Sequence, residues 1–439
     1  MKGRNWSPVG TRRRGLKSFA ARLTLRFLAV ASIVVVYHLI ELHLRYREAM
    51  RAKYLPTQFV SLSDYDEATL AGTGRDADSY TENTERSTLL DNRQHWKKLG
   101  KGREGETFTF NNTVIKVYNE ETTPFRNCMQ DTRASPRRWP TEIPASLIMG
   151  GHGDGSTPSH DDPYRELFVP VKDYFLAAAA AATDPPQPPK WHLVTPFLKS
   201  GTLKRLAKTL RASPDGSPTY RELDQMFRPS FESLLSALDN LHMAHNLCHD
   251  DVKLDNIFVA SDRDPRRWKL GDLGNAREPD HPYHLTPLWT ADTPQLRDCR
   301  ANDALRLTKA YLQFLRRSAR NPDDFDDALM RGLDTLSRLY WTVARASPPV
   351  SAAQIWQLSG VYPPQPEGAE QTPWLTMQQP AGVKESRGWA PAAEAVFGWR
   401  WSLRNAVKSE LRVGAKENMG RFFGLTRILG IPVAACQAA

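Results

Sequence analysis

The stretch Cys248-His249-Asp250-Asp251-Val252-Lys253-Leu254-Asp255-Asn256-Ile257-Phe258 constrains the fold of this chain more than any other. Carboxylates, an ammonium and an amide alternate there with apolar residues, so the stretch must enter a core while its polar groups stay paired. Its surroundings read as structured. Upstream, Phe231, Leu234, Leu235, Leu238, Leu241 and Met243 recur mostly three or four apart, as a buried helix over 231–245 requires. Downstream, Ile257-Phe258-Val259 reads as a strand, and a turn over 262–265 leads to Trp268-Lys269-Leu270-Gly271-Asp272-Leu273-Gly274, where a second carboxylate interrupts an apolar run.

Earlier in the chain, Gly100, Gly102 and Gly105 form a Gly-x-Gly-x-x-Gly run. Phe108-Thr109-Phe110, an Asn111-Asn112 turn and Thr113-Val114-Ile115-Lys116-Val117-Tyr118 follow, which predicts a β-hairpin. A dinucleotide fingerprint needs its glycines to enter a helix, whereas these lead into strands that return with a lysine. Backbone amides at such glycines can approach phosphate oxygens closely, and Lys116 adds a cation. Trp191-His192-Leu193-Val194-Thr195 reads as a further strand, running into Pro196-Phe197-Leu198.

These elements, in this order and spacing over roughly residues 95–316, resemble the eukaryotic protein kinases. The resemblance implies an α+β, two-lobed fold with a small β-rich lobe, a larger helical lobe, and ATP with Mg²⁺ between them. It assigns Asp251 as the base toward an acceptor hydroxyl, Lys253 to the transferred phosphoryl group, and Asn256 and Asp272 to the metal. Gly100, Gly102, Gly105 and Val114 would cover the nucleotide, Lys116 would meet the α and β phosphates, and Thr195, Pro196 and Leu198 would line the adenine side. Of the four Glu between Tyr118 and Leu167, position leaves Glu142 as the helix partner of Lys116, although Pro144 would weaken the first turn of that helix. Asp303 matches the residue that anchors the catalytic loop from the following helix.

Three departures from the family pattern carry meaning. Leu273 replaces Phe after Asp272 and keeps an apolar plug. Gln295 replaces a Glu that pairs with an Arg further on. Asp250 stands where many kinases have an Arg that neutralises a phosphorylated activation loop, so phosphorylation is not the expected switch and Asp250 is expected to meet Arg277 or Arg297. The implied function is ATP- and Mg²⁺-dependent phosphoryl transfer to a Ser/Thr hydroxyl of a protein substrate. The alternatives are a small-molecule or glycan kinase of the same fold, or a pseudokinase acting as a binding module.

Charge argues against a nucleic-acid partner. Residues 1–53 hold 12 Lys/Arg against 2 Glu, the whole of the formal +10, and leave 47 against 47 in the rest. This basic surplus flanks an uncharged run at 27–40, which predicts a transmembrane helix over 23–44 after a basic segment 1–22, with a cleaved signal peptide or an interfacial helix as rivals. In the near flanks, six basic residues (Arg12, Arg13, Arg14, Lys17, Arg22, Arg26) precede the run and four follow it, a small bias toward a lumenal or extracellular domain on a single-pass anchor. Residues 45–90 read as linker or stalk, 91–350 as the kinase-like domain, and 351–439 as an extension packed on the larger lobe, with a helix-like segment at 395–429. Cys128, Cys248, Cys299 and Cys436 form no Cys-x-x-Cys pair. Buried thiols are one reading; in an oxidising lumen a bridge through Cys248 would tie down the catalytic loop. The sequon at Asn111 would be modified only there.

Overall fold

The computed structural model describes residues 12–53, 55–59, 84–102, 105–119, 127–128, 138–153, 163–178, 189–213, 216–290, 295–366, 368 and 398–413. The fold is α+β: a five-stranded antiparallel sheet followed by a mostly helical remainder.

The sheet is built from β1 (Lys97–Lys101), β2 (Gly105–Phe110), β3 (Thr113–Tyr118), β6 (Asp173–Ala177) and β7 (Lys190–Pro196), in the order β1-β2-β3-β7-β6. Two-residue strands β4 (Asn127–Cys128) and β5 (Arg138–Trp139) pair separately. The expected hairpin forms at Asn111 and Asn112, both with positive φ, and Lys116 lies opposite Thr107 on one side and Leu193 on the other. Alternation puts Val114, Lys116 and Tyr118 on one face of β3 and Ile115 and Val117 on the other. Ile115 is fully buried with Leu89, Phe175, Ala177 and Val194.

Leu89 comes from α2 (Thr84–Asp91), so the end of the expected stalk is part of the fold. Arg86 fastens that helix by a two-armed contact to Asp173, at 2.8 and 2.5 Å. The apolar run 167–171 is not a strand. It follows a 3₁₀ turn at Arg165–Leu167 and makes only single bridges, Phe168 to Leu270 and Val171 to His152. Pro170 withholds an N–H from any ladder there.

Helix α3 (Glu142–Gly150) is buried at every residue. Pro144 does not weaken it, because a first-turn residue has no intrahelical acceptor for its N–H in any case. The helical remainder comprises α4 (Leu203–Arg211), α5 (Tyr220–Met243), α6 (Cys299–Ser318), α7 (Pro322–Arg331), α8 (Thr335–Arg345) and α9 (Ala352–Val361), with the short pair β8 (Ile257–Val259) and β9 (Trp268–Leu270). Helix α5 starts eleven residues before the expected 231, at a Thr219/Glu222 capping box whose polar residues carry no periodic signal. Gly332, at φ 68, ends α7 and separates it from α8. Of the C-terminal segment, α10 (Trp399–Glu410) packs Leu403, Val407 and Leu411 into the main core, and Arg404 grips Asp323 at 2.6 Å. Residues 395–397 and 414–429 lie outside the described residues, as do 1–11, most of the stalk and the alanine run after Ala178.

At the other end, α1 (Arg12–Lys53) is one helix of 42 residues, much longer than the expected 23–44. Its residues Leu23, Phe27, Ile33, Val35 and Ile40 are exposed. Among the described residues no helix is long and apolar enough to cross a membrane.

Candidate active site

Lys116 is where the sheet meets the rest of the chain. Its ammonium donates to Glu142 Oε2 at the start of α3 and lies 3.3 Å from Asp272 Oδ1 beyond β9. Tyr118, two residues on and therefore on the same face, donates its hydroxyl to the same Glu142 oxygen at 2.5 Å. Burial pushes the Glu142 carboxyl above its ordinary value, against the pull of Lys116. At Asp272 the Lys116 ammonium wins over burial, with help from Lys253, and holds the carboxyl below its ordinary value. One cation thus joins two carboxylates from separate elements, leaving the Asp272 side chain 38 % exposed.

Behind Asp272 stands the polar loop. The Gly271 amide donates to the Asn256 carbonyl at 3.0 Å, and His249 Nε2 lies 3.1 Å from the Gly271 carbonyl. His249 Nδ1 accepts from the Asp251 amide at 3.3 Å, so Nε2 is the protonated nitrogen that donates to Gly271. Asp303, fully buried near the start of α6, accepts the amides of His249 at 2.6 Å and Asp250 at 3.0 Å. A Cys248–Cys299 disulfide links the same loop to the same helix, with Cα atoms 6.0 Å apart. Two ties of different chemistry therefore fix the loop that carries Asp251.

The Asp251 carboxylate is surrounded by donors. Lys253 donates to Oδ2 at 2.6 Å, Asn256 Nδ2 to the same oxygen at 3.3 Å and to the Asp251 carbonyl at 3.0 Å, and Arg306 Nη2 to Oδ1 at 3.1 Å. Arg306 is a residue that sequence reasoning missed. It lies three positions after Asp303 on α6, a spacing that places both on one helix face and was the available signal. Its guanidinium also donates to the Val252 carbonyl at 3.2 Å and to Gln295 Oε1 at 2.9 Å. The Glu-to-Gln departure thus keeps a contact to an arginine but makes it neutral, and the charge of Arg306 is directed to Asp251 instead.

Asp250 belongs to a separate buried cluster. It meets Arg277, one of the two expected partners, at 2.8 Å, and also His284 at 2.9 Å, all three side chains at most 2 % exposed. Burial alone would raise the Asp250 carboxyl, but His284 and Arg277 outweigh it and hold it well below the ordinary carboxylate value. His284 had no local sequence signal, since only the folding of the loop brings it there.

The nucleotide-side residues assemble in part. Val114 lies opposite Thr195 and Thr113 opposite Pro196, and the Phe197 amide donates to the Asn112 carbonyl at 2.9 Å, so the segment after β7 stays against the hairpin. The Leu198 carbonyl accepts from Gly201 in a turn. Gly105 is a close-approach glycine, where a Cβ would lie 2.0 Å from the Val117 carbonyl oxygen. Gly100 and Gly102 have room for a side chain; Gly100 adjoins an irregularity in the β1–β2 register, and the Gly102 amide donates to the Gly105 carbonyl at 2.9 Å.

No protein-family model matches the chain, and no curated protein matches it either.

Proposed function

We propose that the chain is an ATP- and Mg²⁺-dependent phosphotransferase with a two-lobed, protein-kinase-like architecture, acting on a Ser/Thr hydroxyl of a protein. The observation that carries this reading is the Glu142–Lys116–Asp272 ion chain set against the Asp251–Lys253–Asn256 loop through Gly271. The Asp272 side chain, 38 % exposed, is open to a ligand as well as to Lys116.

The donor set suits the group. Asn256 commits its amide nitrogen to Asp251, which leaves the amide oxygen, and with Asp272 this gives oxygen donors of the kind a hard cation requires. Bound there with ATP, Mg²⁺ supplies neutralisation of phosphate charge. The chain's own residues do the remainder. Lys116, preoriented by Glu142, holds phosphate oxygens. Lys253, 37 % exposed, turns from Asp251 Oδ2 toward the transferred group and frees that oxygen for the acceptor hydroxyl, whose proton it takes. Arg306 keeps Oδ1 fixed meanwhile.

The exposed apolar residues of α1 support a membrane anchor, and the Cys248–Cys299 bridge together with the exposed Asn111 side chain of the sequon supports an oxidising lumen or exterior for the domain. From Ile40 to Ala49 the helix advances only about 14 Å, so such an anchor would hold the domain near the membrane surface. That compartment also favours the second reading, a glycan kinase. The test is stabilisation of the full chain by ATP with Mg²⁺, followed by phosphate transfer to peptide and glycan libraries with Asp251→Asn as control. Transfer to peptides supports the proposal, transfer to glycans alone selects the second reading, and stabilisation without transfer leaves a binding module.

A further inference from the structure

Residues 49–53 and 55–59 are not a linker. They lie against residues 276–290, the segment that follows Asp272-Leu273-Gly274 and ends near Gln295. Ala49 is 2 % exposed and completes an apolar cluster with the Cys248–Cys299 bridge, Tyr283, Leu288 and Trp289. Further contacts to the same segment follow along 53–58. The Lys53 ammonium sits 5.6 Å from the centre of the Tyr283 ring, and the Lys53 carbonyl accepts from Arg277 Nη2 at 3.4 Å. The Leu55 carbonyl lies 3.3 Å from His281 Nε2. The Thr57 hydroxyl, in a residue 3 % exposed, donates to the Ala276 carbonyl at 2.9 Å, and the Gln58 amide donates to Glu278 Oε2 at 3.3 Å.

The covered segment has little regular structure of its own, a 3₁₀ turn at Pro282–Leu285 and a single helical turn at Pro287–Thr290. Its other anchor is the paired backbone of Cys248 and Arg277, at 2.7 and 3.0 Å, together with the Asp250–Arg277–His284 cluster. Arg277 belongs to both anchors, bonded to Asp250 on one side and to the Lys53 carbonyl on the other. A carboxylate at 250 would repel a loop phosphate, so the segment needs an ordering partner of another kind.

We propose that residues 49–53 and 55–59 form a positioning segment for phosphoryl transfer: they hold 276–290 in the arrangement that receives the acceptor, in the place that a phosphorylated residue would otherwise take. This rests on the kinase-like reading of the site. It also makes the ordering permanent and local to the chain, and joins α1 mechanically to the acceptor side of the cleft rather than to the nucleotide side.

The test uses the full chain with Ala49→Arg, which cannot be seated in the apolar cluster, and Glu48→Arg at the exposed neighbour as control. Amide hydrogen exchange across 276–290, measured without nucleotide, is expected to rise about tenfold in Ala49→Arg while β2, β3 and α5 stay as in the parent. A peptide of residues 44–60 added in trans should reverse the rise, and the same peptide carrying Ala49→Arg should not. Turnover with the acceptor should fall about tenfold with the KM for ATP moving less than about twofold. Thr57→Val, a milder change, should raise exchange in the same peptides to a smaller extent and covers the case in which Ala49→Arg does not fold. Unchanged exchange across 276–290, a rise shared equally by the sheet, or unaltered turnover in a chain whose exchange has risen would each overturn the inference. A parent chain that transfers no phosphate sinks the proposed function and with it the role in transfer, while the exchange measurement still judges whether 49–53 and 55–59 order 276–290.

Discussion

Asp250→Asn removes one charge from a dry cluster with almost no change of shape, and Asn tolerates the left-handed backbone that Asp250 adopts at φ 61. In the variant the Arg277 guanidinium, 2 % exposed, keeps its bond to the Asn275 carbonyl but has lost its counter-charge, as has His284. Stranding one member of a buried ion pair costs about 3–5 kcal/mol. The new amide oxygen still accepts one hydrogen bond, worth about 1 kcal/mol, which leaves a net loss of about 3 kcal/mol. At about 2–4 °C per kcal/mol for a domain of this size, the melting midpoint should fall by about 6–12 °C. Thermal and urea unfolding of the full chain at neutral pH measure this. Pairing the change with Arg277→Met should restore much of the loss, because no charge is then stranded. A single-variant loss below about 0.5 kcal/mol, as for an ordinary surface change, would refute the cluster's role.

The pH dependence follows from the same three groups. Burial pulls the His284 pKa down, but the Asp250 carboxylate and the Pro279 carbonyl together raise it above its ordinary value. A raised histidine contributes fully below its unfolded value of about 6.5 and loses the contribution as pH climbs through the folded value. Asp250, held low by His284 and Arg277 against its burial, contributes fully above its unfolded value of about 3.9 and loses the contribution as pH falls through the folded one. The stability gap between parent and Asp250→Asn should therefore be widest from about pH 4 to 6.5 and narrow on the alkaline side as His284 loses its proton.

Gly105→Ala should lower stability by about 2 kcal/mol and weaken stabilisation by ATP, since the added methyl would meet the Val117 carbonyl and push β2 from the strand that carries Lys116. Unchanged values in both measurements would count against the close approach. Gln295→Glu should compete with Asp251 for the Arg306 guanidinium and lower turnover about tenfold at an unchanged KM for ATP, with Arg306→Lys intermediate between parent and Arg306→Ala. Replacing Thr286, Thr290 and Thr293 together by Ala, the last of these outside the described residues, should leave most activity intact; a loss above about tenfold in a normally folded protein would restore loop phosphorylation as the switch.

The sequence by itself determined the hairpin that carries Lys116, the buried face of α5, the short strand after Asn256 and the polar residues between them. These depend on neighbours within a few positions: the period of two in β3, the spacing of three and four in α5, and the turn chemistry of Asn111 and Asn112. Side-chain direction on a strand is local too, so Tyr118 was there to be read beside Lys116. Tertiary structure alone decided the partners of the charges. Arg306 reaches Asp251 and His284 reaches Asp250 across 55 and 34 positions of chain. Nor could composition show that a polar stretch read as a stalk would seat Ala49 and Thr57 on a surface more than 200 residues away. A buried charge must find a counter-charge wherever the fold supplies one, and which one it finds depends on packing between elements, to which no local period corresponds.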